Sequence, residues 1–176
     1  MFDTSPATAR ERADSLPTPA LIRHIVRRFH EPHLEELRDA VELAERVEAA
    51  HKSRADCPFG LADLLAAMAE DLELHQHKEE AVVFPMLLRG GGRVLAMPMA
   101  RMLTEHEDLE RRLAGLAELT RGFTAPAHAC TTWRLLYALC AKLDADLREH
   151  LRLENDVLFP RFEAEVAPAQ GSGRGA

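Results

Sequence analysis

The chain has 176 residues, 47% of them hydrophobic, which is enough to bury one core and fits a single domain. Its 22 Lys and Arg against 29 Asp and Glu leave a formal charge of −7, and no basic stripe marks a nucleic-acid surface. No apolar run is long enough to span a bilayer, residues 1–16 lack the apolar core of a secretory signal, and Cys57, Cys130 and Cys140 form no Cys-x-x-Cys, so the expected setting is cytoplasmic, with reduced thiols and neither nucleic acid nor membrane as partner.

Aromatics are only 5% and Ala, Leu, Glu and Arg dominate, so helix is expected throughout. Residues 1–17 read as a loose tail. Thr18-Pro19 starts the first helix, with Thr as N-cap and Pro at the first helical position. Leu21, Ile22, Ile25, Val26 and Phe29 mark its apolar face, which resumes at Leu34, Leu37, Val41, Leu43 and Val47 and fades near Lys52. Pro32 lies inside this helix and cannot donate its backbone hydrogen bond, so a kink is expected there, or else a break into two helices. Cys57-Pro58-Phe59-Gly60 is a turn. A second helix runs from Leu61 to about Leu88, with Leu64, Leu65, Met68, Leu72 and His75 at helical spacing, and Gly90-Gly91-Gly92 stops it. A third runs from about Pro98 to Thr120, with Met102, Leu103, His106, Leu109 and Leu113 inward. The fourth, from about Thr131 to Glu165, carries Trp133, Leu136, Leu139, Leu143, Leu147, His150, Glu154 and Phe159. Residues 167–176 have the composition of a disordered tail. Four long helices with short connections predict an all-α, antiparallel up-down-up-down bundle over residues 18–166.

One motif occurs twice on these helices, 75 positions apart. His75-x3-Glu79-x4-Phe84-Pro85 is matched by His150-x3-Glu154-x4-Phe159-Pro160, each with an apolar pair before the Phe-Pro. Residues four apart share one helix face, so each His and Glu can hold one side of a metal. A lone histidine precedes each copy: His30 by 45 residues and His106 by 44. The halves therefore read as a duplicated helical hairpin, each supplying half of a site. A single His-x3-Glu on an acidic helix is usually a solvated pair. Two copies with the same tail and the same partner spacing are not.

Imidazole and carboxylate donors without thiolate suit iron, manganese or zinc. Four His and two Glu are too many for one tetrahedral zinc and suit two metals sharing carboxylates. In ferritin-like di-iron bundles the order is Glu-x-x-His; here the His comes first, four residues before the Glu, so this is a different site.

These residues resemble the hemerythrin-like, HHE cation-binding domains, and among them the iron–sulfur cluster repair di-iron (repair-of-iron-centres) family. The match is carried by residues 21–30, His75 through Pro85, Glu105-His106-Glu107, Ala129-Cys130-Thr131-Thr132-Trp133, and His150 through Pro160. The resemblance implies a hemerythrin-like four-helix bundle holding two non-haem irons, bridged by oxo or hydroxo and by carboxylates, with manganese or zinc fitting less well. It makes His30, His75, His106 and His150 terminal ligands and Glu79 and Glu154 bridges, the same six residues that the repeat identifies.

Two departures stand out. Members of that family often carry an N-terminal domain with adjacent cysteines, and this sequence has no Cys-Cys pair. Oxygen-carrying hemerythrins have His-x3-His on the third helix, and here Glu110 follows His106 at that spacing, either as an added ligand or as a solvated surface group. Of the remaining histidines, His24 reads as packed near the site, His33 as surface, His77 as pointing away, and His51 and His128 as helix-end residues. Glu80 and Glu105 adjoin ligands and are candidates for gating charge or access. The functional expectation is a di-iron protein of nitrosative and oxidative stress, acting in iron–sulfur cluster repair or nitric oxide handling, with iron–sulfur proteins as partners. The alternatives are an oxygen or nitric oxide carrier or sensor, and a di-iron nitric oxide reductase or peroxidase.

Overall fold

Helices account for nearly all of residues 6–162, the part of the chain that the computed structural model describes. α1 (Pro6–Asp14) comes first, where the sequence reads as a loose tail. The chain folds there because α1 has partners: Arg10 meets Glu149, and Arg152 holds Asp14 at 2.7 Å. Arg161 also donates to the Leu16 carbonyl at 2.9 Å.

Four helical rods follow. The first is α2 (Thr18–Ile25), a π turn over Val26–His30, and α3 (Glu31–Ala50). The second is α4 (Leu61–Lys78), a π turn over Glu79–Val83, and α5 (Phe84–Leu88). The third is α6 (Ala96–Leu119), entered through a short 3₁₀ turn. The fourth is α7 (Thr131–Arg152), a π turn over Leu153–Leu158, and a 3₁₀ turn to Phe162. α3 packs on α4 and α7, and α6 packs on the same two, which closes the four rods into an up-down-up-down bundle. Gly90, Gly91 and Gly92, with φ of 94°, 69° and 90°, turn the chain sharply between the second and third rods, in a region that side-chain-bearing residues rarely adopt. Among the described residues no helix is long and apolar enough to cross a membrane.

The three π turns share one cause. Each ends two residues before a proline: Pro32, Pro85 and Pro160. A proline ring clashes with the carbonyl four residues back and leaves it without a donor. That carbonyl belongs to Arg28, Ala81 and Asp156 respectively, each inside its π turn, where the wider loop of backbone relieves the clash. The helix therefore neither breaks at Pro32 nor stays regular. It remains helical from Thr18 to Ala50 and takes up the distortion in one wide turn.

Two apolar clusters fill the bundle. One, around Leu37, Leu65, Met68, Leu113, Trp133 and Leu143, occupies the end where the second and fourth rods begin. The other, around Leu21, Ile25, Val83, Met102, Leu158 and Phe162, occupies the opposite end. Along each rod the break between the two clusters falls at a buried polar residue: His30 on the first, His75 and Glu79 on the second, His106 on the third, and His150 and Glu154 on the fourth.

Leu103, read from the sequence as inward, is 42% exposed. The buried stripe of α6 runs Met99, Met102, His106, Leu109, Leu113, and Leu103 stands about 100° around the helix from Met102. Leu65→Ala should therefore lower the unfolding free energy by about 2–5 kcal/mol, and Leu103→Ala by less than about 0.5 kcal/mol, read by chemical denaturation of the metal-free protein.

Candidate metal centre

Each rod delivers its polar residues to the same depth, because neighbouring rods run in opposite directions and the breaks in the two apolar clusters align. Two groups of potential metal-binding atoms result. His30, His150, Glu79 and Glu154 form one, and His75, His106, Glu79 and Glu154 form the other, with the atoms of each group within 4.8 Å of one another. Each group takes the lone histidine of one half and the motif histidine of the other.

The two carboxylates belong to both groups. Glu79 turns Oε2 to His30 Nε2 at 3.4 Å and Oε1 to His75 Nε2 at 3.3 Å. Glu154 turns Oε1 to His150 Nε2 at 3.1 Å and Oε2 to His106 Nε2 at 3.3 Å. Within each group the two imidazole Nε2 atoms stand 3.2 Å apart. Donors at about 2 Å around one ion, at right angles, stand about 3 Å from each other, so the spacing fits one metal per group.

The remaining ring nitrogens fix how the imidazoles face. His30 Nδ1 donates to Glu80 at 2.8 Å, His75 Nδ1 to Glu105 at 3.0 Å, and His106 Nδ1 to Asn155 at 2.7 Å. Each bond leaves Nε2 for the centre. Glu105 is held in turn by Lys78 and Arg101, both at 2.6 Å. Aromatic rings back the histidines: Phe84 stacks on His30 at 5.8 Å, Phe159 on His106 at 5.9 Å and Phe29 on His150 at 5.4 Å. A cavity of about 240 Å³ between α4 and α6 reaches His75, with Lys78, Arg101, Glu105 and Arg112 on its walls.

The charge balance requires a cation. Glu79 and Glu154 are both 0% exposed. Of their four oxygens only Glu154 Oε1 accepts a well-formed hydrogen bond among the described residues, from His150. Buried carboxylates without donors are costly unless paired or bound to metal. Without metal, protons substitute in part. Burial disfavours a charged His75, but Glu79, Glu154 and the Glu105 hydrogen bond outweigh it and raise its pKa to about 9. His150 is raised too, burial being outweighed by Glu154. Burial and then the charge of His150 lower His30. For Glu154, burial pulls upward, yet His150 holds it well below the carboxylate range. Glu105 sits at about 2, because Arg101, Lys78 and His75 prevail over its burial.

The six residues singled out by the repeat all lie here. Glu110 does not: it is exposed on the outer side of α6 and belongs to neither group. Glu80 and Glu105 anchor histidines, and Glu105 also lines the cavity that reaches His75. Asn155 was not singled out in the sequence, although it holds the position after Glu154 that Glu80 holds after Glu79. His77 is exposed, and His24 is half-buried, edge-on to Phe29. His51 lies at the far end of the bundle, with Nε2 3.2 Å from Cys130 Sγ, and His128 pairs there with Asp56.

His33 is a correction. Expected on the surface, it is 0% exposed, and neither ring nitrogen has a hydrogen-bond partner among the described residues. Burial depresses its pKa to about 3, so the ring is neutral. The expectation followed helical phase from His30 alone. His33 lies four residues from both Phe29 and Leu37, and the buried face of a bundle helix is wide enough to include all three.

The chain is similar to known proteins over most of its length. The family model for the hemerythrin HHE cation binding domain matches residues 21–162. The chain is 42% identical over 156 residues to the iron-sulfur cluster repair protein YtfE of Pectobacterium carotovorum subsp. carotovorum (strain PC1), covering 89% of this chain and 70% of that one. It is 44% identical over 145 residues to YtfE of Musicola paradisiaca (strain Ech703), covering 82% and 65%. It is 42% identical over 148 residues to the iron-sulfur cluster repair protein DnrN of Neisseria gonorrhoeae, covering 84% and 93%. The chain thus spans about two thirds of the YtfE relatives and nearly all of the DnrN relative.

His75 supplies a test. Because its folded pKa is raised from 6.5 to about 9, the stability it contributes is fully present below pH 6.5 and is lost as pH rises through about 9. Metal-free protein should show a falling Tm across that window, flattened in His75→Gln, and the His75 imidazole should titrate near pH 9 by NMR. A Tm independent of pH between 6.5 and 9 would contradict the charge balance described here.

Proposed function

Because this chain belongs to the hemerythrin HHE cation binding family, we propose that its buried cluster holds two non-haem iron ions and that the protein acts in iron–sulfur cluster repair under nitrosative and oxidative stress. The observation that carries this reading is the placement of Glu79 and Glu154, each with one oxygen toward each histidine pair. In it His30 and His150 would hold one iron and His75 and His106 the other, with Glu79 and Glu154 shared between the two positions. The names of the YtfE and DnrN relatives support repair as the activity, with iron–sulfur proteins as partners.

Bound iron supplies one-electron redox change and open positions for a small molecule such as nitric oxide or oxygen. The chain's residues do the rest. Glu80, Glu105 and Asn155 hold three histidines in the tautomer that presents Nε2. Phe29, Phe84 and Phe159 cover the imidazoles and keep water from their ring faces. The cavity beside His75 gives a small ligand a way in, and Lys78 and Arg101 on its wall fix Glu105. With Glu110 exposed and in neither group, two histidines would face each metal position.

Anaerobic reconstitution with ferrous iron should load two irons per chain by elemental analysis. Glu79→Ala or Glu154→Ala should lose most of both, since each carboxylate serves both positions. Loaded protein should restore activity to an iron–sulfur enzyme damaged by nitric oxide, and Glu79→Ala should not. One ion per chain, or a preference for zinc, would overturn the di-iron reading. Oxygen bound reversibly over many cycles without oxidation would replace repair with carriage.

A further inference from the structure

The duplication relates the two halves residue by residue: His30 to His106, His75 to His150, Glu79 to Glu154, Glu80 to Asn155 and Phe84 to Phe159. The anchors of the histidines follow the same relation. Glu80 holds His30 in one half, and Asn155 holds His106 in the other. His75 is held by Glu105, the residue before His106. The corresponding anchor of His150 would be the residue before His30, and that residue is Phe29, which stacks on the imidazole but cannot accept a hydrogen bond. His150 Nδ1 accordingly has no partner among the described residues, although the ring is fully buried.

The sequence compensates one turn further along. Three residues after His106 stands Leu109, apolar and buried. Three residues after His30 stands His33, also buried, with both ring nitrogens unpartnered. One half thus places its polar group before the lone histidine and its apolar group after it, and the other half reverses them. The ring of His33 is 5.9 Å from that of His150 and 5.6 Å from that of Phe29. Two hydrogen-bonded imidazoles have centroids about 5 Å apart, so the two rings stand within about 1 Å of that separation. Asp146, the carboxylate facing this corner, is already taken by Arg28 at 2.7 Å and Lys142 at 2.9 Å.

We propose that His33 is a positioning residue of the metal centre, accepting a hydrogen bond from His150 Nδ1–H as Glu105 accepts one from His75 Nδ1–H. The need arises when metal binds. A histidine that gives Nε2 to a metal carries its proton on Nδ1, and that buried donor requires an acceptor. A neutral imidazole has one unprotonated nitrogen to offer. His33 touches no metal in this role; it sets the tautomer and tilt of the histidine that does. The inference rests on the di-iron reading, and it makes the His30–His150 position dependent on His33 while leaving the His75–His106 position independent of it.

The test uses the full chain loaded anaerobically with ferrous ⁵⁷Fe. His33→Phe keeps the volume, His33→Leu is a second apolar replacement should the larger ring overfill the site, and His33→Gln restores an acceptor. In the apolar variants one of the two irons should pass to a chelator about 10- to 100-fold faster than in the parent, and one of the two Mössbauer doublets should change. Tm of the metal-free protein should hold or rise, because two unpartnered polar atoms leave the core. His33→Gln should bring the release back toward the parent rate. Parent-like release in the apolar variants would overturn the proposal. So would equal acceleration of both irons with a lowered metal-free Tm, which is the signature of lost packing. A parent chain that holds fewer than two irons would instead overturn the di-iron reading, and this inference with it.

Discussion

Two carboxylates at the centre of a helical bundle, fully removed from water, set the terms for everything around them. An ionised carboxylate in such a place is tolerable only beside positive charge, and among the described residues no Lys or Arg meets Glu79 or Glu154. Among the described residues the cations that face them are protons on the imidazoles, which is why His75 and His150 shift upward while Glu154 shifts downward. A bound metal ion would answer the same need without that compromise. The two apolar clusters on either side make the arrangement affordable, since they hold the four rods in place whatever occupies the layer between them.

The duplicated hairpin accounts for how one short motif builds a centre with two positions. Each half contributes to both, because the lone histidine of one half meets the motif histidine of the other. The prolines contribute through the backbone. By forcing a wide turn at Val26–His30, Glu79–Val83 and Leu153–Leu158, they place His30, Glu79 and Glu154 within the π turns themselves. Such turns recur where a helix must present side chains off the regular spiral. The halves are not identical, however, and the exchange of Glu105 and Leu109 for Phe29 and His33 makes the surroundings of the two histidine pairs chemically distinct.

Much of this was legible in the sequence. The fold followed from helical periodicity and turn residues; four of the six central residues followed from a four-residue spacing that only a helix turns into a shared face, and His30 and His106 from their matched distance to it. What the sequence left hidden is equally specific. Which histidines pair depends on which rods stand side by side. The π turns escaped a reading that took proline only as a kink or a break. Asn155 was reachable by laying one repeat over the other, but only once Glu80 was known to hold His30. His33 and Leu103 were misplaced by single-residue errors of phase on faces about 100° wide. α1 was missed because its partners, Glu149, Arg152 and Arg161, lie on the fourth rod, far along the chain.

The central claim is that two irons sit side by side between the histidine pairs, joined by both glutamates. Anomalous diffraction at the iron edge, from crystals of protein loaded anaerobically with ferrous iron, tests it most directly. The account predicts two peaks in each chain, one between His30 and His150 and one between His75 and His106, with Glu79 and Glu154 in contact with both. A single peak, or two peaks of which either glutamate touches only one, would contradict it.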